Sequence, residues 1–255
     1  MKCGRAFVIA TYQNTVLIYN PVAGKVRSTN GRIIQRALEL LEREGIRARA
    51  VPTTGPGTAG EIARQAILKD PDLIVAMGGD GTINEVANGM VFSPVPLAVL
   101  PAGTANVLAM ELGLGNRLDK AVRMLPQCAP ERISVGQVHS AMGSRYFLLM
   151  AGAGLDAQIV YNVNANVKKQ LGKLAYWSAG FSVVGRSLSQ LDALLNGDRH
   201  RCGFALASRV KNYGGDLTIA TGASLFENDF ETVLFEGRHA SRFLLHFIGV
   251  LAQSV

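Results

Sequence analysis

Short apolar runs alternate with segments of helical periodicity through the first half of the chain. The runs predict buried strands, and apolar residues spaced three and four apart predict helices that cover them. The predicted strand and helix pairs are 15–19 with 33–41, 46–51 with 62–68, 72–77 with 83–90, and 97–100 with 105–112. This repeated alternation indicates a parallel sheet with helices on both faces.

The pattern changes after about residue 125, where residues 132–139 and 145–150 predict adjacent strands with no helix between them. Further strands are predicted at 203–210, 217–220 and 230–235, with a helical insertion somewhere between 155 and 195. We therefore expect two domains: an α/β domain over residues 1–125 and a mostly antiparallel β-sandwich over residues 126–255.

Composition excludes several classes of protein. The 255 residues are 48% hydrophobic and 18% charged, which is enough apolar surface for a folded core and excludes a disordered chain. The three cysteines form no Cys-x-x-Cys pair, so we expect neither a disulfide framework nor a thiolate metal site. The apolar runs at 6–10 and 243–252 are too short for a signal peptide or a membrane span, and a cytoplasmic protein is expected.

The charge balance points to partners that carry phosphate. Lys and Arg number 26 against 19 Asp and Glu, which gives a formal net charge of +7. Nucleotides, anionic lipids and nucleic acids are the partners that such a surface favours. The interleaved aromatic and basic residues of common RNA-binding modules are absent from the sequence, so nucleic acid is not an expected partner.

Polar, glycine-rich segments follow three of the predicted strands, at 20–25, 78–85 and 101–106. Glycine lets the backbone approach phosphate oxygens, and a following helix directs its N–H groups at the anion. The first segment lacks the spacing of a Walker loop, and taken alone it is more typical of a simple turn. The second combines three glycines with Asp80, Thr82, Asn84 and Glu85, which exceeds what a turn requires. Asp80 is placed to hold a metal-bound water or to orient a ribose or phosphate, whereas Thr82 would serve equally as an N-cap.

These segments resemble the diacylglycerol kinase catalytic-domain family, which includes bacterial lipid kinases, sphingosine kinases and ceramide kinases. The matching motifs are Asn20-Pro21-x-x-Gly24-Lys25, Gly78-Gly79-Asp80-Gly81-Thr82-x-Asn84-Glu85, Leu100-Pro101-x-Gly103-Thr104-x-Asn106-x-x-Ala109 and Gly152-x-Gly154-x-Asp156-Ala157. Gly-Gly-Asp-Gly alone also occurs in NAD kinases and phosphofructokinases. The Asn84-Glu85 continuation and the third motif favour the lipid kinases.

The resemblance implies an N-terminal domain like that of NAD kinase and phosphofructokinase, a C-terminal β-sandwich, and ATP bound with Mg²⁺ in the cleft between them. It also implies transfer of the γ-phosphoryl group of ATP to a lipid hydroxyl, in lipid metabolism. The implied nucleotide-binding positions are Asn20, Gly24, Lys25, Thr53, Gly78, Gly79, Asp80, Gly81, Thr82, Ile83, Asn84, Glu85, Gly103, Thr104 and Asn106. Glu227 and Asp229 stand nearest the acidic positions that help to place Mg²⁺.

A lipid acceptor would bring the protein to the inner face of the membrane. The resemblance and the positive charge are the two indications of such an acceptor. Lys168, Lys169 and Lys173 lie beside apolar and aromatic residues, which suits either an interfacial helix or a solvated helix with one buried stripe.

The sequence departs from the family in one respect. The family carries a late Asp-Gly-Glu segment whose Asp is the general base, whereas here Asp precedes Gly only at Asp80-Gly81. We therefore expect a chain that lacks the family's C-terminal segment, with Asp80 as the only candidate for a catalytic role. A truncated product, a base recruited from elsewhere and a non-catalytic nucleotide-binding protein stay open. So does a kinase for a soluble acceptor such as NAD. An incomplete sandwich would leave open strand edges, which favour a homodimer.

Residues 152–157 also match the dinucleotide-binding fingerprint Gly-x-Gly-x-x-Gly/Ala. That fingerprint requires an acidic residue about 20 positions later, at the end of a second strand. None is present at residues 173–178. We interpret the glycines as a turn in which two backbone segments approach closely.

Overall fold

The structure is a computed structural model that describes residues 2–3, 11–155, 157, 189–214 and 217–236. The chain forms two compact units, Met1–Leu148 and Leu149–Val255. The domain boundary expected after residue 125 stays a prediction. Most of the expected helical insertion, including Lys168, Lys169 and Lys173, lies outside the described residues.

The first unit is built on a parallel sheet of four strands in the order β3-β2-β4-β5. These strands are β2 (Tyr12–Tyr19), β3 (Ile46–Pro52), β4 (Leu73–Gly78) and β5 (Leu97–Pro101). Each of the four predicted strands is confirmed. Strand β4 is buried at every position, which explains why its sequence is an unbroken apolar run and not an alternating one.

Helices and short strands complete this unit. The helices are α1 (Gly24–Ser28), α2 (Arg32–Arg43), α3 (Ala59–Ile67), α4 (Asp80–Met90), α5 (Val107–Glu111) and α6 (Leu118–Met124), followed by a 3₁₀ turn at Leu125–Gln127. Strands β1 (Lys2–Cys3) and β6 (Cys128–Ala129) pair with each other, and β7 (Gly136–Ser140) forms a hairpin with β8 (Gly143–Phe147). The four predicted helices are present. Helices α1 and α6, each of two turns or fewer, were not predicted.

Helices α3 and α4 pack with direct backbone contact. A Cβ atom at Gly89 would lie 2.1 Å from the carbonyl oxygen of Gly60. Because any side chain at Gly89 would separate the helices, this pair of glycines fixes α4 close to α3. The first turn of α4 carries the central glycine-rich motif, so this packing positions the motif.

The second unit contains a four-stranded antiparallel sheet around β11 (Asp198–Ser208). Strand β11 pairs along one half with β10 (Leu191–Leu195), along the other half with β9 (Met150–Gly154), and over its later residues with β14 (Glu231–Glu236). The short strands β12 (Asn212–Tyr213) and β13 (Leu217–Thr218) pair with each other. Leu155, Phe204 and Leu206 form the core cluster. Antiparallel strands after a parallel sheet are the predicted architecture.

Three details differ from the sequence predictions. The predicted strand 145–150 is two strands, because β8 ends at Phe147 and β9 begins at Met150 in the second unit. Strand β10 lies inside the range assigned to a helical insertion; its half-buried positions alternate along Leu191–Leu195, as expected for a strand. The turn predicted at the glycines of residues 152–157 is wrong, because Gly152 and Gly154 lie in strand β9 and pair with β11. The expected close approach of two backbone segments is present, since a Cβ at Gly154 would lie 2.3 Å from the Gly203 carbonyl oxygen. Among the described residues, no helix has the length and apolar character needed to cross a bilayer.

Candidate functional site

The carboxyl ends of the four parallel strands lie at one level of the sheet. Tyr19 pairs with both Met77 and Pro52, and Gly78 pairs with Pro101. Strand β3, the next in sequence after β2, lies on one side of β2 in the sheet, and the chain then crosses to form β4 on the other side of β2. The switch point of the sheet is therefore the crevice between the ends of β2 and β4, where open α/β sheets bind their ligands.

Asn20 joins the first two glycine-rich segments across this crevice. Its backbone N–H donates to the Met77 carbonyl at 3.1 Å, and its side-chain Nδ2 donates to Thr82 Oγ1 at 3.1 Å. Its Oδ1 accepts from the N–H of Val22 at 2.9 Å, which shapes the turn after β2. Residues 62 positions apart in sequence are thus directly bonded at the switch point.

Glycines bring the second and third segments into backbone contact. A Cβ at Gly103 would lie 2.4 Å from the Cα of Gly79, and a Cβ at Gly78 would lie 2.8 Å from the Cβ of Thr82. The N–H groups of Ala102 and Gly103 both donate to the Gly78 carbonyl, at 3.0 and 3.1 Å. Packing therefore requires glycine at positions 78 and 103, whereas a Cβ at Gly79 would lie 3.4 Å from the Cα of Gly103, an ordinary contact. The sequence alone suggested only that these glycines let a phosphate approach the backbone.

Gly81 and Gly24 differ from Gly78 and Gly103. Both are exposed, and a Cβ at either would meet nothing within 4 Å. The protein's own packing does not require a glycine at these two positions. They are the glycines that leave open space for a ligand at the backbone.

Asp80 links the second segment to a different helix. It is the first residue of α4, and its Oδ1 accepts from the N–H of Leu108 in the first turn of α5 at 3.1 Å. The residue before α5, Asn106, makes no side-chain cap bond to that helix, so the Asp80 carboxylate supplies the cap. One carboxylate oxygen is committed to the fold, and the other remains for a ligand.

Asn106 is a structural residue in this arrangement. It is fully buried and has a left-handed backbone with φ of 51°. Its Oδ1 accepts from the Gly103 N–H at 2.8 Å, while its Nδ2 donates to the Gly103 carbonyl at 3.0 Å and to Asn116 Oδ1 at 2.5 Å. Asn116 was not among the predicted residues.

The Lys25 ammonium group bridges the first and third segments. It donates to the Asn116 carbonyl at 2.5 Å and to the Pro101 carbonyl at 3.4 Å. Burial lowers the pKa of Lys25 below its ordinary value. Since an ammonium has three donors, one N–H direction remains for an anion.

The remaining predicted residues fall into different environments. Thr53 is buried at the end of β3, and its N–H donates to the Tyr19 carbonyl at 2.8 Å. Thr104 is exposed on the third segment. The side chain of Ile83 is fully buried in the core, so only its backbone is available to a ligand. Glu85 Oε2 accepts from the N–H of Ala59 at 3.4 Å, next to the α3–α4 contact.

Asn84 holds the hairpin of the first unit. Its Nδ2 donates to the Tyr146 carbonyl at 3.2 Å, and its Oδ1 accepts from the Leu148 N–H at 3.0 Å. Asn88, one turn later on α4, exchanges two further bonds with the Tyr146 backbone. Sequence reasoning missed Asn88, although an asparagine four residues after Asn84 is the signal for a shared helix face.

Glu227 and Asp229 lie in the second unit with exposed side chains. Their backbone carbonyls accept hydrogen bonds from Arg209, a buried residue that sequence reasoning did not identify. No group of three or more His, Cys, Asp or Glu side chains is arranged to hold a metal ion in the part of the chain that the structure describes. The role of Glu227 and Asp229 in placing Mg²⁺ stays a prediction.

Glycine-rich loops that meet at the switch point of a parallel sheet are typical of nucleotide-binding α/β domains. The sequence matches the diacylglycerol kinase catalytic domain over residues 14–138. A protein named diacylglycerol kinase from Bacillus subtilis strain 168 is 30% identical over 235 residues, covering 89% of this chain and 75% of the relative. One of the same name from Staphylococcus haemolyticus strain JCSC1435 is 34% identical over 170 residues, covering 66% of this chain and 50% of that relative.

Solved structures agree with this match. The crystal structure of a diacylglycerol kinase from Bacillus anthracis str. Sterne has a TM-score of 0.68 at 22% identity, covering 94% of this chain and 79% of that one. A second crystal structure from the same strain reaches a TM-score of 0.73 with 94% and 78% coverage. They show the same fold, a parallel sheet with helices followed by antiparallel strands. The chain belongs to the diacylglycerol kinase catalytic-domain family, a family of lipid kinases, and membership implies the use of ATP.

Proposed function

We propose that this protein is an ATP-dependent lipid kinase that transfers the γ-phosphoryl group to the hydroxyl of diacylglycerol, a sphingoid base or a related lipid. Family membership supports this proposal. The observation that carries it is the convergence of the three glycine-rich segments at the switch point, tied by the Asn20–Thr82 bond and the Gly79–Gly103 contact.

The beginning of α4 is the proposed binding place for the phosphates of ATP. The first N–H groups of a helix have no partner within the helix, and its N-terminus carries partial positive charge. Exposed Gly81 leaves the backbone open at this point, and the remaining N–H of Lys25 adds a cationic donor. Phosphoryl transfer depends mainly on such positioning and charge neutralisation.

Mg²⁺ is proposed to arrive with the nucleotide. Magnesium commonly keeps several waters and binds through one or two carboxylates together with substrate phosphates. The free oxygen of Asp80, at the start of α4, suits that role without any preassembled cluster. When bound, the ion would neutralise charge on the transferring phosphoryl group.

Replacing Asp80 by Asn tests the nucleotide site. The amide oxygen of Asn can still cap α5, so thermal stability should stay close to that of the wild type. Loss of the charge should weaken Mg·ATP binding about tenfold, an effect on the order of 1.4 kcal/mol, in a calorimetric titration. Asp70→Asn is the matched control, because Asp70 is exposed and its positive φ of 49° is one that Asn adopts readily. Equal affinity in the wild type and Asp80→Asn would contradict this placement of the nucleotide.

The acceptor is tested separately with radiolabelled ATP and a panel of diacylglycerol, sphingoid base, phosphatidylglycerol and NAD. Label in a lipid is the expected result. Label in NAD alone would overturn the lipid proposal, and ATP binding without transfer would indicate a nucleotide-binding protein. The net charge of +7 would favour docking on anionic vesicles at the inner face of a membrane. Homodimer formation stays a prediction.

A further inference from the structure

Arg209 is a buried cation directly after β11, with only 1% of its surface exposed. Its Nη2 donates to the Leu225 carbonyl at 2.7 Å and to the Glu227 carbonyl at 3.0 Å, and its Nη1 donates to the Asp229 carbonyl at 3.2 Å. Three carbonyl oxygens from alternate residues thus converge on one guanidinium. We refer to residues 225–229 as the carbonyl loop.

Two further hydrogen bonds fix the chain at Arg209 itself and across the two ends of the carbonyl loop. The N–H of Arg209 donates to the Leu149 carbonyl at 2.8 Å, which anchors the arginine backbone. Glu231 Oε2 accepts from the N–H of Gly222 at 2.7 Å, which joins the segment before the loop to the strand after it. The backbone at Arg209 and at both ends of the loop is therefore held by hydrogen bonds, and the buried guanidinium orients the loop carbonyls between them.

The same carbonyl oxygens are what a hard divalent cation would require. Mg²⁺ needs oxygen ligands at 2.0–2.1 Å in near-octahedral geometry. To bind these carbonyls the ion would have to displace Arg209, which would leave a buried positive charge without partners. The carbonyl oxygens of the loop are consequently committed to a side chain, whereas the side chains of Glu227 and Asp229 are exposed to solvent.

We propose that Arg209 is the cation that orders the carbonyl loop, in place of a divalent metal, and that it positions Glu227 and Asp229 on a metal-independent frame. Arg209 is a positioning residue, since it acts through the backbone of the loop. The planar fork of Arg209 reaches three carbonyls through two separate nitrogens, whereas Lys would concentrate its three donors on a single nitrogen. The proposal does not depend on lipid kinase activity.

Hydrogen–deuterium exchange of the full-length chain tests this proposal without nucleotide or substrate. Exchange over residues 225–229 in the wild type should be the same with excess Mg²⁺ and with a chelator. Arg209→Lys should raise exchange in that segment at least tenfold under both conditions. Arg201→Lys is the matched control, because Arg201 is an exposed arginine on β11, and it should leave the loop protected.

Two outcomes would overturn the proposal. Faster exchange of the loop when the wild type is chelated, reproduced by the Glu227→Gln/Asp229→Asn double variant, would show that a metal orders the loop. Unchanged loop exchange in Arg209→Lys would show that the guanidinium does not. The chelation experiment uses the wild type, so the comparison survives even if Arg209→Lys folds poorly.

Discussion

The loops at the carboxyl edge of the parallel sheet and the carbonyl loop of the second unit are ordered by opposite means. The first set is held mainly by neutral groups, namely glycine contacts and the side-chain amides of Asn20 and Asn106, and its two charged members, Lys25 and Asp80, are exposed in part and use only some of their polar atoms in the fold. A buried guanidinium holds the second. The difference matters for function, because the first set leaves one carboxylate oxygen of Asp80 and the N-terminus of α4 available to a ligand. In the carbonyl loop the buried charge is already used by the fold.

The largest expected effect is at Gly103. In Gly103→Ala the added methyl group meets the backbone at Gly79, which cannot give way as a flexible side chain would. We expect a loss of about 3 kcal/mol in the free energy of unfolding, at the upper end for overpacking. ATP affinity should fall with it. Chemical denaturation and calorimetry measure the two quantities.

Gly81→Ala is the control for Gly103→Ala, since the same methyl group there meets open space. Its stability should change by less than about 0.5 kcal/mol, as for an ordinary surface substitution. Equal losses of stability in Gly103→Ala and Gly81→Ala would show that the fold does not depend on the close contact between Gly103 and Gly79.

A smaller effect is expected at Asn106. Asn106→Ala removes three side-chain hydrogen bonds and places alanine in a left-handed conformation, for a cost of about 2 kcal/mol. Asn106→Gly removes the same bonds but tolerates the backbone, so it should cost roughly 1 kcal/mol less. Equal unfolding energies for the two variants would argue against the backbone contribution. Neither loss should depend on salt, because the contacts are neutral.

The smallest expected effect is at Glu231, a charged residue next to the carbonyl loop of the second unit. Glu231→Gln keeps an acceptor for the Gly222 N–H but loses the charge assistance of a carboxylate. We expect a change of about 0.5 kcal/mol in the free energy of unfolding at low ionic strength, shrinking as salt is added. A loss of unfolding free energy that does not change with salt would show that packing, and not the carboxylate charge, causes the effect.

Local sequence patterns predict the fold well where one segment determines its own structure. The unbroken apolar run of β4 and the spacing of apolar residues in α2 require no distant partner to be recognised. The glycine-rich motifs also identify the edge of the sheet where the candidate site forms, because parallel strands end together. Strand β10 was missed, since its alternation covers only five residues.

The roles of individual polar residues were harder to predict. The Asp80 cap on α5 and the Asn84 bonds to Tyr146 and Leu148 join residues 28 to 64 positions apart. Nothing local distinguishes a ligand-binding carboxylate from one that caps a distant helix. Arg209 was missed for the same reason, because its partners are backbone carbonyls that carry no sequence signal.

The side-chain amides of Asn84 and Asn88 on α4 have a consequence for how the protein would aggregate. Asn84 and Asn88 satisfy backbone groups along one side of β8, as a neighbouring strand would. Unpaired strand edges are templates for intermolecular β-structure. Local opening of α4 would expose such an edge. A ligand that stabilises the start of this helix should therefore also slow aggregation during heating, through the same eleven-residue helix.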